Sequence, residues 1–257
     1  MRLAFSCSFA FACSVALAAP VARVVRTTSA IDVVNVATNS EVTISNTTFA
    51  TNSLAMDPGG SMFSANAAGD LFNVTAPVPF LIGSTGFTQI ADLDYAPGGF
   101  WGYSNSSQNL FFFDTSSSSV TYTASIPNLA AYSITGVAFR PSDGSIFLSG
   151  NVGFNQDLLF VVPPSSNSFT ILGPMPNADP GSYFSDIDFD ASGTLYAMNW
   201  YHRDFYTVST TNGATSLVSA GPHRDVTGMA LPPAAVPEPT SLAALGLGGF
   251  ALMRRRK

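Results

Sequence analysis

The sequence predicts an all-β protein, a β-propeller of about five four-stranded blades, and three observations carry that prediction. Four stretches align with one another: SLAMDPGGSMFSAN from residue 53, DLDYAPGGFWGYSN from 92, GVAFRPSDGSIFLSG from 136 and DIDFDASGTLYAMN from 186. Each reads as a short apolar strand, a turn of Pro, Gly, Asp or Ser, and a second strand ending in Asn or Gly. The unit starts, taken at Met56, Tyr95, Phe139 and Phe189, lie 39, 44 and 50 residues apart, close to the length of one propeller blade. Between them, no stretch shows a helical period over a useful length.

Each unit continues into two more strands. The third begins at Asp70, Asn109, Asp157 and Asp204, and the fourth covers residues 80–82, 120–122, 169–172 and 216–218. A fifth unit starts at Thr227-Gly228-Met229-Ala230-Leu231, which matches Thr135-Gly136-Val137-Ala138-Phe139, and stops after one strand. Its missing partners read at the other end, in residues 21–25, 31–36 and 42–44, of which the last two resemble 158–162 and 169–172. N- and C-terminal strands therefore share one blade, which closes the ring and buries sheet edges that would otherwise invite aggregation. A β-sandwich is the alternative, since short strands at this spacing suit either fold.

Composition agrees with stacked sheets. Only 10% of the 257 residues are charged and 46% are hydrophobic, against about 25% charged in an ordinary soluble domain. Inner strands facing another sheet on both sides need few charges, and Ser, Thr and Asn in the loops carry solubility. With ten basic residues against sixteen acidic ones, the chain has no phosphate-tracking surface, so nucleic acid is excluded as a partner.

The ends read as addresses. Arg2 opens a positive region, residues 3–17 are almost wholly apolar or small, and Ala16 and Ala18 suit a signal peptidase pocket. Cleavage after Ala18 avoids leaving Pro20 directly past the scissile bond, as cleavage after Ala19 would. Both cysteines, Cys7 and Cys13, fall within this segment, which leaves no disulfide framework to the mature chain. At the other end, Pro237-Glu238-Pro239 precedes an apolar, Gly-rich run at 242–253 and the cluster Arg254, Arg255, Arg256 and Lys257. That run predicts a short transmembrane helix, transiently anchored, with the basic cluster on the cytoplasmic face.

In that order and at the end of the chain, these residues resemble the PEP-CTERM sorting signal of Gram-negative bacteria. The resemblance implies recognition near Pro237, Glu238 and Pro239 by an exosortase, a membrane-embedded cysteine transpeptidase. It further implies export through an inner-membrane intermediate to the cell surface, the outer membrane or the extracellular polysaccharide matrix. The expected division is a signal peptide at 1–18, a repeat domain at 19–231 and the sorting signal at 232–257. Losing the signal peptide and everything beyond Val236 leaves five basic residues against fifteen acidic ones, a net charge of −10.

Chemistry is sparser than delivery. Alternation would put Asp186, Asp188 and Asp190 on one strand face, where stacked carboxylates suit Ca²⁺. Asp92 and Asp94 hold the same repeat positions, so a repeated strand start explains the acids equally well, and no cofactor is expected. His202 and His223 are distant in sequence and read as solvated turn residues. Trp101 and Tyr103 share a face suited to core, whereas Trp200 lies past a strand end and is the better ligand contact. The expected function is a non-enzymatic, exported propeller associated with extracellular polysaccharide or envelope. The alternatives are a calcium-dependent propeller hydrolase or lactonase, and a carbohydrate-binding module.

Overall fold

Short apolar strands punctuated by turns can bury both faces only when each sheet lies between two others. The computed structural model shows how this chain achieves it. It describes residues 20–233 except 27–29, 47–50, 52, 77, 154–155 and 178–181. The predicted signal peptide with Ala16 and Ala18, the helix at 242–253 and the sorting residues Pro237 to Pro239 and Arg254 to Arg256 lie outside the described residues. Among the described residues no helix is long and apolar enough to cross a membrane.

Strands β1 (Val21–Arg26), β2 (Ala30–Asn35) and β3 (Glu41–Asn46) pair antiparallel in sequence order. Blade 2 follows as β4 (Ala55–Met56), β5 (Met62–Ala65), β6 (Asp70–Asn73) and β7 (Phe80–Ser84). Blade 3 holds β8 (Ile90–Ala96), β9 (Gly99–Ser104), β10 (Asn109–Asp114) and β11 (Ser119–Ser125). A 3-10 turn, Pro127–Ala131, leads into blade 4, made of β12 (Ser133–Phe139), β13 (Ile146–Asn151), β14 (Asp157–Val162) and β15 (Thr170–Met175). Blade 5 contains β16 (Phe184–Phe189), β17 (Leu195–Asn199), β18 (Phe205–Val208) and β19 (Thr215–Ser219). The last strand, β20 (Val226–Ala230), returns to pair with β1, so blade 1 has the order β20-β1-β2-β3.

The described chain is thus a five-bladed propeller closed by three N-terminal strands and one C-terminal strand. Strands β4, β8, β12, β16 and β20 line the axis, each against the next, and β20 against β4 completes the ring. Each of the five clefts between blades has its own core. Tyr103 and Leu110 meet Val137, Leu148 and Phe160 between blades 3 and 4, for example. Equivalent clusters fill the clefts between blades 4 and 5, 5 and 1, 2 and 3, and 1 and 2. Trp101 is half-buried against the first of these and touches Phe112 and Tyr122, so it serves as core in company with Tyr103.

Closure hides the inner edges, but each blade still presents its fourth strand outward, with Phe80, Leu81, Ile171 and Leu217 exposed there. All five blades carry a β-bulge between third and fourth strands. Bulges twist an edge away from the flat geometry that a second edge would need. Pro174 on β15 does the same, since it offers no N–H to an approaching strand.

Candidate functional site at the channel mouth

The inner strands carry an alternating code. Position by position, Asp92 and Asp94 of blade 3 correspond to Gly136 and Ala138, Asp186 and Asp188, Gly228 and Ala230, and Ser53 and Ala55 in the blades that follow around the ring. Acidic blades 3 and 5 are thereby each followed by a Gly/Ala blade, 4 and 1, and blade 2 carries Ser and Ala. An inner strand has no ladder partner on its axial side, and the acids supply one. Asp92 Oδ2 accepts the Val137 N–H at 2.8 Å and Asp94 Oδ2 accepts that of Phe139 at 2.5 Å. Asp186 Oδ2 and Asp188 Oδ2 take Met229 and Leu231 in the same way. At the Gly junctions the next strand comes too near for a side chain: a Cβ on Gly136 would sit 2.6 Å from the Ile187 nitrogen.

These four carboxyls are buried, and burial pushes Asp92 up to about 8 and Asp94 up to about 7. Burial also raises Asp186 and Asp188, reinforced by the neighbouring acids Asp92 and Asp94 respectively. Asp92 and Asp186 meet carboxyl to carboxyl. Asp92 Oδ1 is buried and makes no well-formed hydrogen bond, with only the Leu93 N–H nearby, which suits a proton shared between the two acids.

Asp190 does not join them. It stands past the end of β16, where its Oδ1 accepts the Ser192 and Thr194 N–H groups and the Ser192 hydroxyl. The expected single face of Asp186, Asp188 and Asp190 is therefore corrected, because alternation ends with the strand and the third acid caps a turn. Among the described residues no group of three or more His, Cys, Asp or Glu is placed to hold a metal ion.

Above the acids, a second repeated device shapes the channel. The inner-strand register slips between Ile90 and Asp92, Ile134 and Gly136, and Phe184 and Asp186, and again where Arg26 and Val25 face Val226 and Gly228. One residue is extra each time: Ala91, Thr135, Ser185 and Thr227. A bulge re-aims the side chain it carries. All four line a cavity of about 470 Å³ at the channel mouth, to which every blade contributes. Asn66, Gln89 and Asn105 supply amides there, and Tyr183 and Trp200 supply rings stacked at 5.4 Å and 8°.

An adjoining cavity of about 550 Å³ shares Asn105, Ser133, Thr135 and Tyr183 and adds Gln108, Tyr132 and Asn151. Among the described residues neither cavity is lined by a charged one. Trp200, expected as a ligand contact, lines the mouth cavity. Tyr183 and Gln89 were not foreseen, because nothing marks a residue just before a strand, whereas the bulges shift the very alternation by which strand faces are read.

The two histidines, distant in sequence, come together around Tyr201. The Tyr201 ring lies 3.9 Å from that of His223 and 4.9 Å from that of His202. Both stand in turns, His223 exposed and His202 partly so, and they form an aromatic cluster beside Trp200.

The sorting residues decide the address of this propeller. Residues 235–257 match the family model described as the PEP-CTERM protein-sorting motif. The chain carries a PEP-CTERM sorting signal. This signal implies export, membrane-associated sorting in a Gram-negative bacterium and processing by an exosortase, with the propeller as extracellular body. Comparison with curated proteins gives no match. Among solved structures, the PEP-CTERM chain is similar to a chain of a nidogen/laminin complex at TM-score 0.53 and 10% identity, covering 85% of this chain and 87% of that one. It is also similar to a putative 6-phosphogluconolactonase from Bacteroides uniformis at TM-score 0.42 and 13% identity, over 79% and 68% of the two chains. The first likeness shows the fold alone.

Proposed function

We propose that this protein is a non-enzymatic β-propeller, displayed at the cell surface or released into the matrix, that works by binding extracellular polysaccharide or envelope at its channel mouth. The observation that carries this reading is the union of a sorting signal with a mouth ringed by uncharged polar and aromatic side chains from all five blades. The acids beneath support a binding role over calcium-assisted hydrolysis. Both oxygens of Asp94 and of Asp186 already accept backbone N–H groups, those of Tyr95 and Phe139 and of Ile187 and Met229. Ca²⁺ takes six to eight oxygen ligands, and it would have to displace these bonds. The division into a signal peptide at 1–18, a body at 19–231 and a sorting segment at 232–257 belongs to the same proposal, as does handling by a signal peptidase.

The test is to fractionate the native host and take the intact mass of the protein. The outer fraction should hold a chain lacking residues 1–18 and the terminal basic cluster, retained by the host's own polysaccharide. Recovery with Lys257 still attached in the outer fraction, or free passage over immobilised host polysaccharide, overturns the reading. A calcium-dependent rise in melting temperature that Asp188→Ala abolishes would instead favour the hydrolase.

A further inference from the structure

We propose that the channel mouth and the cavity beside it form one site for an uncharged oligosaccharide, laid from Trp200 across the junction of blades 3 and 4 to Gln108. The inference rests on the surface-binding reading above and assigns it a place and a ligand class. The two cavities, about 470 and 550 Å³, share four lining residues. Each falls within the roughly 300–1,000 Å³ of small-molecule sites, so together they suit consecutive sugar units better than one compact molecule.

The lining has the chemistry of a sugar receptor. A neutral sugar presents hydroxyls around its rim and C–H groups on its faces, which call for amides and hydroxyls beside aromatic rings. Most polar groups of the mouth are already engaged: Asn105 bonds both the N–H and the carbonyl of Ile134, and Thr227 donates to Thr51. Among the described residues, the side chains of Gln89, Gln108 and Ser133 and the indole N–H of Trp200 have no hydrogen-bond partner, although each lines the site. Gln89 and Gln108 also share a backbone peculiarity, with φ of 51° and 57°. Glycine would take that left-handed conformation at lower cost. Two glutamines are held there by the same kind of bond, their carbonyls accepting Asn105 N–H and Ile126 N–H respectively. Their free amides thus open onto the two halves of one trough.

Charge selects the ligand class. Among the described residues no cation lines the trough, and the body is strongly acidic. A uronate or sulfated sugar would enter without a counter-charge and against this field.

The experiment is calorimetric titration of the full chain with neutral tetrasaccharides of glucose, mannose and galactose and with a tetrauronate. At least one neutral probe should bind, with affinity unchanged between about 0.05 and 0.5 M salt. Trp200→Ala should weaken that binding by roughly tenfold and Gln108→Ala by a few-fold, with melting temperatures close to wild type. The inference is overturned if the tetrauronate binds more tightly than every neutral probe. It is equally overturned if no neutral probe binds, or if both variants bind like wild type. Retention of wild type and Trp200→Ala alike by host polysaccharide would sink this site and leave the surface-binding reading standing, whereas loss of retention in the wild type would sink both.

Discussion

Asp92 and Asp186, from inner strands separated by a whole blade, meet carboxyl to carboxyl at the centre of the ring. Each also reaches sideways to the backbone of the following blade, Asp92 to Val137 and Asp186 to Met229. One pair of side chains thereby ties four of the five inner strands together. The arrangement needs a proton, since two buried carboxylates in contact repel and Asp92 Oδ1 makes no well-formed hydrogen bond, with only the Leu93 N–H nearby.

Stability should therefore fall as pH rises from mildly acidic to alkaline. Unfolded, these carboxyls titrate near 4; folded, Asp92 and Asp94 titrate at about 8 and about 7. Between those limits the folded protein holds protons that the unfolded chain has shed, so each step up in pH favours unfolding. Below about pH 4 the trend reverses, because Asp143, held at about 2 chiefly by its Arg140 hydrogen bond, loses its contribution as it protonates. Melting curves at half-unit intervals should show a maximum between about pH 4 and 6. A maximum at pH 8 or above would contradict the shared proton.

Replacing the two acids by amides should have opposite consequences. Asn at position 92 keeps an oxygen for Val137 N–H and sets its NH₂ toward Asp186, which removes the repulsion without a proton. In Asp186, by contrast, both oxygens accept N–H groups, from Ile187 and Met229. An NH₂ there must face a donor. Asp92→Asn should hold or raise the melting temperature at pH 8 and flatten its pH dependence, while Asp186→Asn should cost about 1–3 kcal/mol, the usual cost of an unsatisfied buried group. Equal destabilisation by the two would argue against the assigned geometry.

The Gly/Ala half of the inner-strand code predicts a graded steric effect. A Cβ at Gly136 meets the Ile187 nitrogen at 2.6 Å and Asp186 Cα at 3.0 Å, whereas at Gly228 the nearest atoms lie at 3.0 Å. Backbone cannot move aside as a side-chain tip can. Gly136→Ala should destabilise by about 1–3 kcal/mol, the range of overpacking, and Gly228→Ala by less, in denaturant titrations of the two variants.

The blades and their closure were legible because turn residues punctuate them at regular intervals, and because Thr227 to Leu231 repeats the pattern of Thr135 to Phe139. The acids were visible as repeat equivalents, but their purpose was not. Which backbone a carboxylate reaches depends on the distance between blades, and no periodicity within a strand encodes that. The mouth was harder still. Thr135, Ser185 and Thr227 read as ordinary strand residues until a bulge at each turns them to the cavity, and His202 and His223 meet only because the ring brings the loop before β20 beside the turn between β17 and β18.

Ring closure depends on one buried guanidinium. Arg203, 1% exposed, lies in the turn between β17 and β18 and reaches into the turn between β2 and β3. Its Nε and Nη2 donate to the side chain and carbonyl of Asn39 at 2.9 and 3.1 Å, and its Nη1 pairs with Glu41. Asn39 answers by donating to the Arg203 carbonyl at 3.0 Å, and Arg224 holds the other Glu41 oxygen at 2.9 Å. Burial pushes the Glu41 carboxyl up, but Arg203 and Arg224 outweigh it and hold the acid below its ordinary value. These contacts join blade 5 to the N-terminal strands of blade 1, beside the β20–β1 pairing at which the chain ends meet. Arg203→Ala would leave the side-chain and main-chain oxygens of Asn39 without their donor and Glu41 paired with Arg224 alone, at about 1–3 kcal/mol. Arg203→Lys should recover little, because an ammonium cannot reproduce a fork that spans two residues. In hydrogen exchange, β1 and β20 of the alanine variant should lose protection before β12 and β13 do. Loss spread evenly over all five blades would show that Arg203 stabilises the fold at large and not the clasp.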